Sequence, residues 1–105
     1  MVSAAAMVAL RPLEAPYVNT IYMYETLSET GWNYPTAEKT FMPNTFSDIS
    51  LFIDEKINAM NMYETKVMSD PHPRSPEGIR ALAKYRGGTI GVGYAEAFMC
   101  IRNII

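Results

Sequence analysis

Cysteine and histidine are almost absent from this sequence, and their scarcity excludes several kinds of site. Cys100 is the only cysteine and His72 the only histidine. A single cysteine cannot form an internal disulfide or a zinc site built on several thiolates, and it is typical of a reducing compartment. A metal site around His72 would need further ligands, and Asp70 is the only acid close to it in sequence. The residues predict no metal ligand, no catalytic residue and a cytoplasmic location.

An excess of positive charge and a long apolar run are missing as well. Nine Lys and Arg stand against eleven Asp and Glu, and no segment concentrates the basic residues, which argues against a nucleic-acid partner. No apolar run is long enough for a membrane span, and the apolar start from Met1 to Leu10 lacks the positive region of a signal peptide. The glycines of 87–93 lack the third spaced glycine or the Gly-Lys-Ser/Thr ending of a nucleotide-binding loop.

What is present fits one ordinary globular domain over residues 1–105, with 49% hydrophobic and 19% charged residues. Local patterns predict an α/β chain in the order helix, strand, loop, strand, helix, helix, strand. The predicted bounds are 2–11, 17–24, 25–44, 45–49, 50–68, 75–88 and 94–101. Ser50 and Ser75 are the predicted N-caps. Local rules end the helix that Ser75 begins at Gly87-Gly88, although glycines also occur where a helix packs tightly on a sheet. The first helix begins without an entry loop, so we expect a partial Rossmann-like layered sheet that is incomplete as a domain.

Apolar spacing predicts which faces are buried. The strand at 17–24 has apolar side chains on both faces, which favours a sheet covered on both sides. Cys100 has apolar neighbours and is predicted to be buried and inert. The predicted helical stripes are Ile53, Ile57, Met60, Tyr63 and Val67 in one helix and Ile79, Leu82, Ala83 and Arg86 in the next.

Three charged residues are candidates for a ligand site. Glu25 follows the first strand, and ligands of α/β folds bind beyond the carboxyl ends of strands; it can equally be an exposed loop acid. Arg74 and Arg86 have forked donors suited to an anionic or polyhydroxylated ligand. They can also be a surface charge and a charge near a helix end. His72 is interpreted as a loop histidine between two prolines, with a lone base as the alternative, because the pKa of histidine is ordinarily near neutral.

Taken together and in order, several segments resemble the carboxyl-terminal half of the PIG-L/LmbE-type zinc-dependent de-N-acetylases, over nearly the whole chain. The segments that carry the resemblance are Val2-Ser3-Ala4-Ala5 through Arg11-Pro12, Tyr24-Glu25-Thr26-Leu27-Ser28, Phe41 to Ser50 leading to Lys56-Ile57, His72-Pro73-Arg74-Ser75, and Arg86-Gly87 with Tyr94-Ala95-Glu96-Ala97-Phe98. The resemblance implies a Rossmann-like fold and removal of acetyl groups from N-acetylglucosamine-type conjugates.

The same resemblance implies that the metal chemistry lies elsewhere. The family's His-Pro-Asp-Asp and His-x-Asp-His segments, which hold zinc and the general base, are not in this sequence. The resemblance therefore implies zinc in the complete enzyme, none bound by this chain alone, and a missing-half partner or a homo-oligomer. It assigns a pocket wall to Glu25 and Trp32, ligand-organising roles to Arg74 and Arg86, and structural roles to Tyr94 and Glu96. The alternative is a non-catalytic interaction or assembly module of the same ancestry.

Overall fold

The computed structural model describes residues 2–26, 40–63 and 68–105. Within them the element order is the predicted one, and the mixed α/β class is confirmed. The elements are α1 (Val2–Ala9), β1 (Thr20–Tyr24), β2 (Thr45–Asp48), α2 (Ile53–Asn61), α3 (Pro76–Ile90) and β3 (Ala95–Asn103). No helix in the described ranges is long and apolar enough to cross a membrane.

The described strands form one antiparallel sheet in the order β1-β3-β2. β3 is the central strand, and α3 packs against it. The parallel layering of a Rossmann-like sheet is not seen among these strands and stays a prediction. The expectation that β1 is covered on both faces is wrong, because Tyr22 and Tyr24 on this edge strand are 50% and 72% exposed.

The core is small and lies between α2 and α3. Its buried members are Ile49, Ile53, Ile57, Ile79 and Ala83, with Met60 and Tyr94 packed against them. The predicted stripes are confirmed at these positions, whereas Leu82 is only half-buried. The prediction that Tyr63 belongs to the buried stripe is wrong, since α2 ends at Asn61 and the Tyr63 side chain is 65% exposed. Val67 lies outside the described residues.

Local rules explain the start of α3. Ser75 is fully buried, and its Oγ accepts a hydrogen bond from the Gly78 N–H at 3.0 Å. Pro76 occupies the first turn, where its missing N–H has no helical partner to lose. The predicted N-cap is therefore confirmed.

The end of α3 lies beyond the predicted Gly87-Gly88 boundary. The helix continues to Ile90 and stops at Gly91, whose φ of 80° is a left-handed conformation that favours glycine. A Cβ on Gly87 would lie 2.8 Å from the Val92 carbonyl oxygen and 2.9 Å from the Tyr94 Cα. Gly87 therefore lies inside α3 at the point where residues 92–94, which lead into β3, pass close to the helix.

Ser50 does not cap α2, because its hydroxyl joins β2 to the start of β3. The Oγ donates to Asp48 Oδ1 at 2.6 Å and accepts from the Tyr94 N–H at 3.1 Å. α2 instead begins after Phe52, which makes no side-chain cap. A contact with a residue 44 positions away has therefore replaced a local one.

The Asp48–Ser50 contact predicts a pH effect. Side-chain and then backbone hydrogen bonds from Ser50 hold the pKa of Asp48 below its ordinary value. A carboxylate whose folded-state pKa is lowered stabilises the fold above its unfolded pKa and loses that contribution as pH falls through the folded value. We expect Asp48→Asn to reduce the drop in the urea midpoint between about pH 5 and about pH 3. The control is Glu77→Gln, and equal drops in wild type and Asp48→Asn would contradict the assignment.

Candidate functional site

A cavity of about 270 Å³ lies between α3, β3 and the end of β1. We call it the α3–β3 cavity. It is lined by Tyr24, Glu25, Lys56, Ile79, Leu82, Ala83, Arg86, Ala95, Glu96, Ala97 and Phe98. Its wall is mostly apolar, with four charged side chains, so it has the mixed character of a small-ligand site.

Glu25 and Arg86 form an ion pair at this cavity. Arg86 donates from its Nη2 to Glu25 Oε1 at 2.7 Å and from its Nε to Glu25 Oε2 at 3.2 Å. The two side chains are 16% and 17% exposed. A two-pronged guanidinium–carboxylate contact fixes both groups in orientation as well as distance. The end of β1 and the last turns of α3 are thereby joined across 61 positions of sequence.

Two aromatic rings hold the Arg86 guanidinium further. The ring centroids of Phe41 and Tyr85 lie 5.7 and 5.5 Å from its central carbon, within cation–π range. The Glu25 contacts use two of the five guanidinium N–H donors. Arg86 is therefore a positioned donor whose other N–H groups can serve a ligand.

A second ion pair borders the same cavity. Lys56 Nζ on α2 lies 2.6 Å from Glu96 Oε1 on β3, and the two side chains are 35% and 37% exposed. The four charged groups of the wall therefore balance to zero, each beside an opposite charge. Such a wall offers both donors and acceptors but no net charge to attract an ion.

Arg74 and Trp32 are the other two candidate residues. Arg74 is not among the cavity-lining residues, and its backbone N–H donates to His72 Nδ1 at 3.0 Å. Within the part of the chain that the structure describes, its buried Nε has no hydrogen-bond partner. Trp32 lies outside the described residues. The pocket roles of all four candidates stay predictions. Cys100, predicted to be buried, is half-buried, and that expectation is wrong.

Lys56 was not singled out as a site residue by the sequence, and Glu96 was expected to be structural. Their pairing joins residues far apart in sequence, which no local motif reveals. Glu96 does interrupt an otherwise apolar stretch, Ala95-Glu96-Ala97-Phe98. A carboxylate near the start of the central strand is the one available signal, because charged side chains are seldom buried without a partner.

A second depression, of about 450 Å³, lies along α2 and α3 and is more open to solvent. It is lined by Ile57, Pro76, Glu77, Arg80, Ala81 and Lys84. The ion pair beside it, Arg80 with Asp54, is 43% and 79% exposed. Exposed pairs of this kind fix little geometry, so the α3–β3 cavity is the stronger candidate site.

No group of three His, Cys, Asp or Glu in residues 2–26, 40–63 and 68–105 is arranged to hold a metal ion. The described side chains therefore do not fit a catalytic zinc site, which takes three protein ligands. Comparisons of the chain with protein-family models, with curated proteins and with solved structures found no match.

Proposed function

We propose that this chain supplies the substrate pocket of a zinc-dependent N-deacetylase of the PIG-L/LmbE type, acting on an N-acetylglucosamine-type conjugate. In this proposal the metal-binding segments come from sequence that the chain lacks, and the three strands belong to a larger layered sheet. Zinc would polarise the amide carbonyl and activate water. We assign no catalytic step to the residues described here.

The Glu25–Arg86 pair is the observation that carries the proposal. The resemblance assigns both residues to the ligand site, although they stand 61 positions apart. They meet in one half-buried ion pair at the edge of a single cavity. Residues that contact one ligand are expected to lie close together, and the contact between Glu25 and Arg86 supports the proposal in this way.

The chemistry of the cavity favours an uncharged, polyhydroxylated ligand. Sugar hydroxyls both donate and accept hydrogen bonds, so they can use the carboxylates of Glu25 and Glu96 and the donors of Arg86 and Lys56. A charged ligand would find each of these groups already beside its counter-charge. Apolar side chains such as Ile79 and Phe98 offer a surface for a sugar-ring face.

The size of the cavity is compatible with one ring rather than a long chain. Its 270 Å³ lies just below the roughly 300–1,000 Å³ of small-molecule sites. The rest of a conjugate would extend past the rim, where Tyr24 is 72% exposed. The proposed substrate is therefore a terminal N-acetylated amino sugar attached to another molecule.

Calorimetric titration with methyl N-acetylglucosaminide tests the proposal. We expect saturable binding, and we expect Glu25→Gln to weaken it by about tenfold or more, because a hydrogen bond to a charged group is worth roughly 1.5–3 kcal/mol. Glu77→Gln removes an exposed carboxylate of α3 and is the matched control. Circular dichroism checks that each variant is folded.

If Glu25→Gln unfolds, a comparison of two sugars on the wild-type chain tests the proposal instead. The wild-type chain should prefer the N-acetyl sugar to glucosamine, whose ammonium group has no unpaired carboxylate in the cavity to meet. Absence of saturable binding, or equal affinity for both sugars, would contradict the proposal.

The alternative is a non-catalytic module that binds a partner or assembles with itself. Large exposed side chains favour it, among them Leu13 at 95%, Tyr17 at 81% and Leu51 at 88%. Exposed apolar side chains mark an interaction site where they form a contiguous patch. The coding sequence upstream of Met1 separates the two functions: an in-frame His-Pro-Asp-Asp segment supports the deacetylase, and a true start site supports the module.

A further inference from the structure

β1 is an edge strand in the described sheet and has none of the side chains that usually protect an edge. Its five residues, Thr20 to Tyr24, include no charge, no proline and no glycine. The register shift in the β1–β3 pairing places the extra residue, Ile101, on β3 rather than on β1. Natural edge strands are commonly protected by charges, prolines or bulges of their own.

From this edge we propose that two copies of the chain pair through β1, antiparallel and about a two-fold axis at Tyr22. The two sheets would then join into one continuous six-stranded sheet, with β1 of each copy at the centre. Such an interface uses the same surface on both copies, as two-fold dimers do. It does not depend on the proposed deacetylase function, and it is compatible with that function where the larger sheet continues beyond β2, the other edge strand.

The sequence of β1 is self-complementary in that register. Tyr22 is the middle of the five residues, so Tyr22 meets its own copy, Ile21 meets Met23, and Thr20 meets Tyr24. Aromatic pairs and pairs of β-branched with aromatic residues are favourable across strands, and no like charges are opposed. A shift by one residue would leave a terminal residue unpaired and turn the side chains to the opposite faces.

The available surface suits a second copy of the chain in a concentration-dependent dimer. Tyr22, Met23 and Tyr24 are 50%, 37% and 72% exposed. With about 200 Å² for a tyrosine, these three side chains offer about 300 Å² per copy, before the backbone edge is counted. Two copies thus bury an area in the low range, below about 1,200 Å², typical of weak and transient interfaces.

Disulfide trapping tests the register directly. In a Cys100→Ser background, Tyr22→Cys places two thiols opposite each other at a Cα separation of about 4.5–5.5 Å, within disulfide range. We expect mild oxidation to give a covalent dimer. Thr20→Cys is the matched control, because its two copies would lie roughly 13 Å apart, too far to bridge. A mixture of Thr20→Cys and Tyr24→Cys chains should cross-link to each other.

Sedimentation equilibrium tests the dimer without any cross-link. The mass of the wild type should rise from monomer to dimer with concentration, and Tyr22→Lys should weaken the dimer by about tenfold or more, since two like charges then face each other. Tyr63→Lys changes an exposed tyrosine outside the sheet and should leave the mass unchanged. A monomer at every concentration, or equal cross-linking of Thr20→Cys and Tyr22→Cys, would overturn the proposal. Tyr22 does not line the α3–β3 cavity, but its ring centroid lies 5.9 Å from that of Phe98, which does. Sugar binding by Tyr22→Lys is therefore measured beside its mass, and loss of the dimer with sugar binding intact separates the two proposals.

Discussion

Gly87→Ala is expected to lower the free energy of unfolding by about 3 kcal/mol, the upper part of the usual range for an overpacked site. The added Cβ would lie 2.8 to 2.9 Å from backbone atoms of Val92, Gly93 and Tyr94. Backbone atoms cannot move aside as the end of a flexible side chain can. Either α3 or the chain leading into β3 must shift.

Gly88→Ala is the matched control and should act in the opposite direction. A Cβ at Gly88 meets nothing within 4 Å, and alanine is better than glycine inside a helix by roughly 0.5–1 kcal/mol. Urea denaturation of both variants measures the difference. Two neighbouring glycines that respond alike would show that the return of the chain over α3 is wrongly described.

Ile57→Ala and Ile79→Ala should each destabilise the fold by about 2–5 kcal/mol, the range for a large-to-small change in a core. The two side chains are 7% and 2% exposed, and they belong to the same small cluster. Each truncation would leave a void between α2 and α3 that the few remaining core residues cannot fill.

Two further leucine variants calibrate that result by denaturation. Leu51 is 88% exposed, so Leu51→Ala should change stability by no more than about 0.5 kcal/mol. Leu82 belongs to the same predicted apolar stripe of α3 as Ile79, but its side chain is half-buried at the wall of the α3–β3 cavity. We therefore expect Leu82→Ala to cost about 1–2 kcal/mol, less than the roughly 2–5 kcal/mol that truncation of a fully buried leucine costs. Equal effects at Leu51 and Ile57 would contradict the location of the core.

The elements that follow local rules were predictable from the sequence. Ser75 and Pro76 define the start of α3 through a cap and a fixed φ, both of which act within one helical turn. The end of α3 was not predictable in the same way. By local sequence rules, Gly87 predicts the end of a helix. Only its close approach to residues 92–94 explains why it lies inside α3.

Long-range contacts account for the other differences. Ser50 has the residue type of an N-cap, but its hydroxyl is engaged by Asp48 and Tyr94. Cys100 has apolar neighbours along β3. These neighbours do not reveal whether a helix or another sheet packs over the face of the sheet on which Cys100 lies. Burial depends on what packs over a strand, and a sequence pattern gives only which side chains share a face.

The residues of the candidate site were also predictable only in part. Glu25 and Arg86 were found as separate candidates, from a strand end and from a forked donor, but their pairing needed the fold. Lys56 and Glu96 form a second pair that joins α2 to β3. The sequence shows an isolated carboxylate at Glu96 but does not indicate its partner, so the charge balance of the cavity emerges only from the tertiary structure.

The central claim is that the α3–β3 cavity binds an N-acetylated amino sugar. Titration of the ¹⁵N-labelled chain with methyl N-acetylglucosaminide, followed by two-dimensional NMR, tests it most directly. We predict saturable shifts concentrated at the amides of Glu25, Ala83, Arg86 and Ala97, with little change at Glu77 and Lys84 beside the second depression. No saturable shift, or shifts centred on Glu77 and Lys84, would contradict the claim.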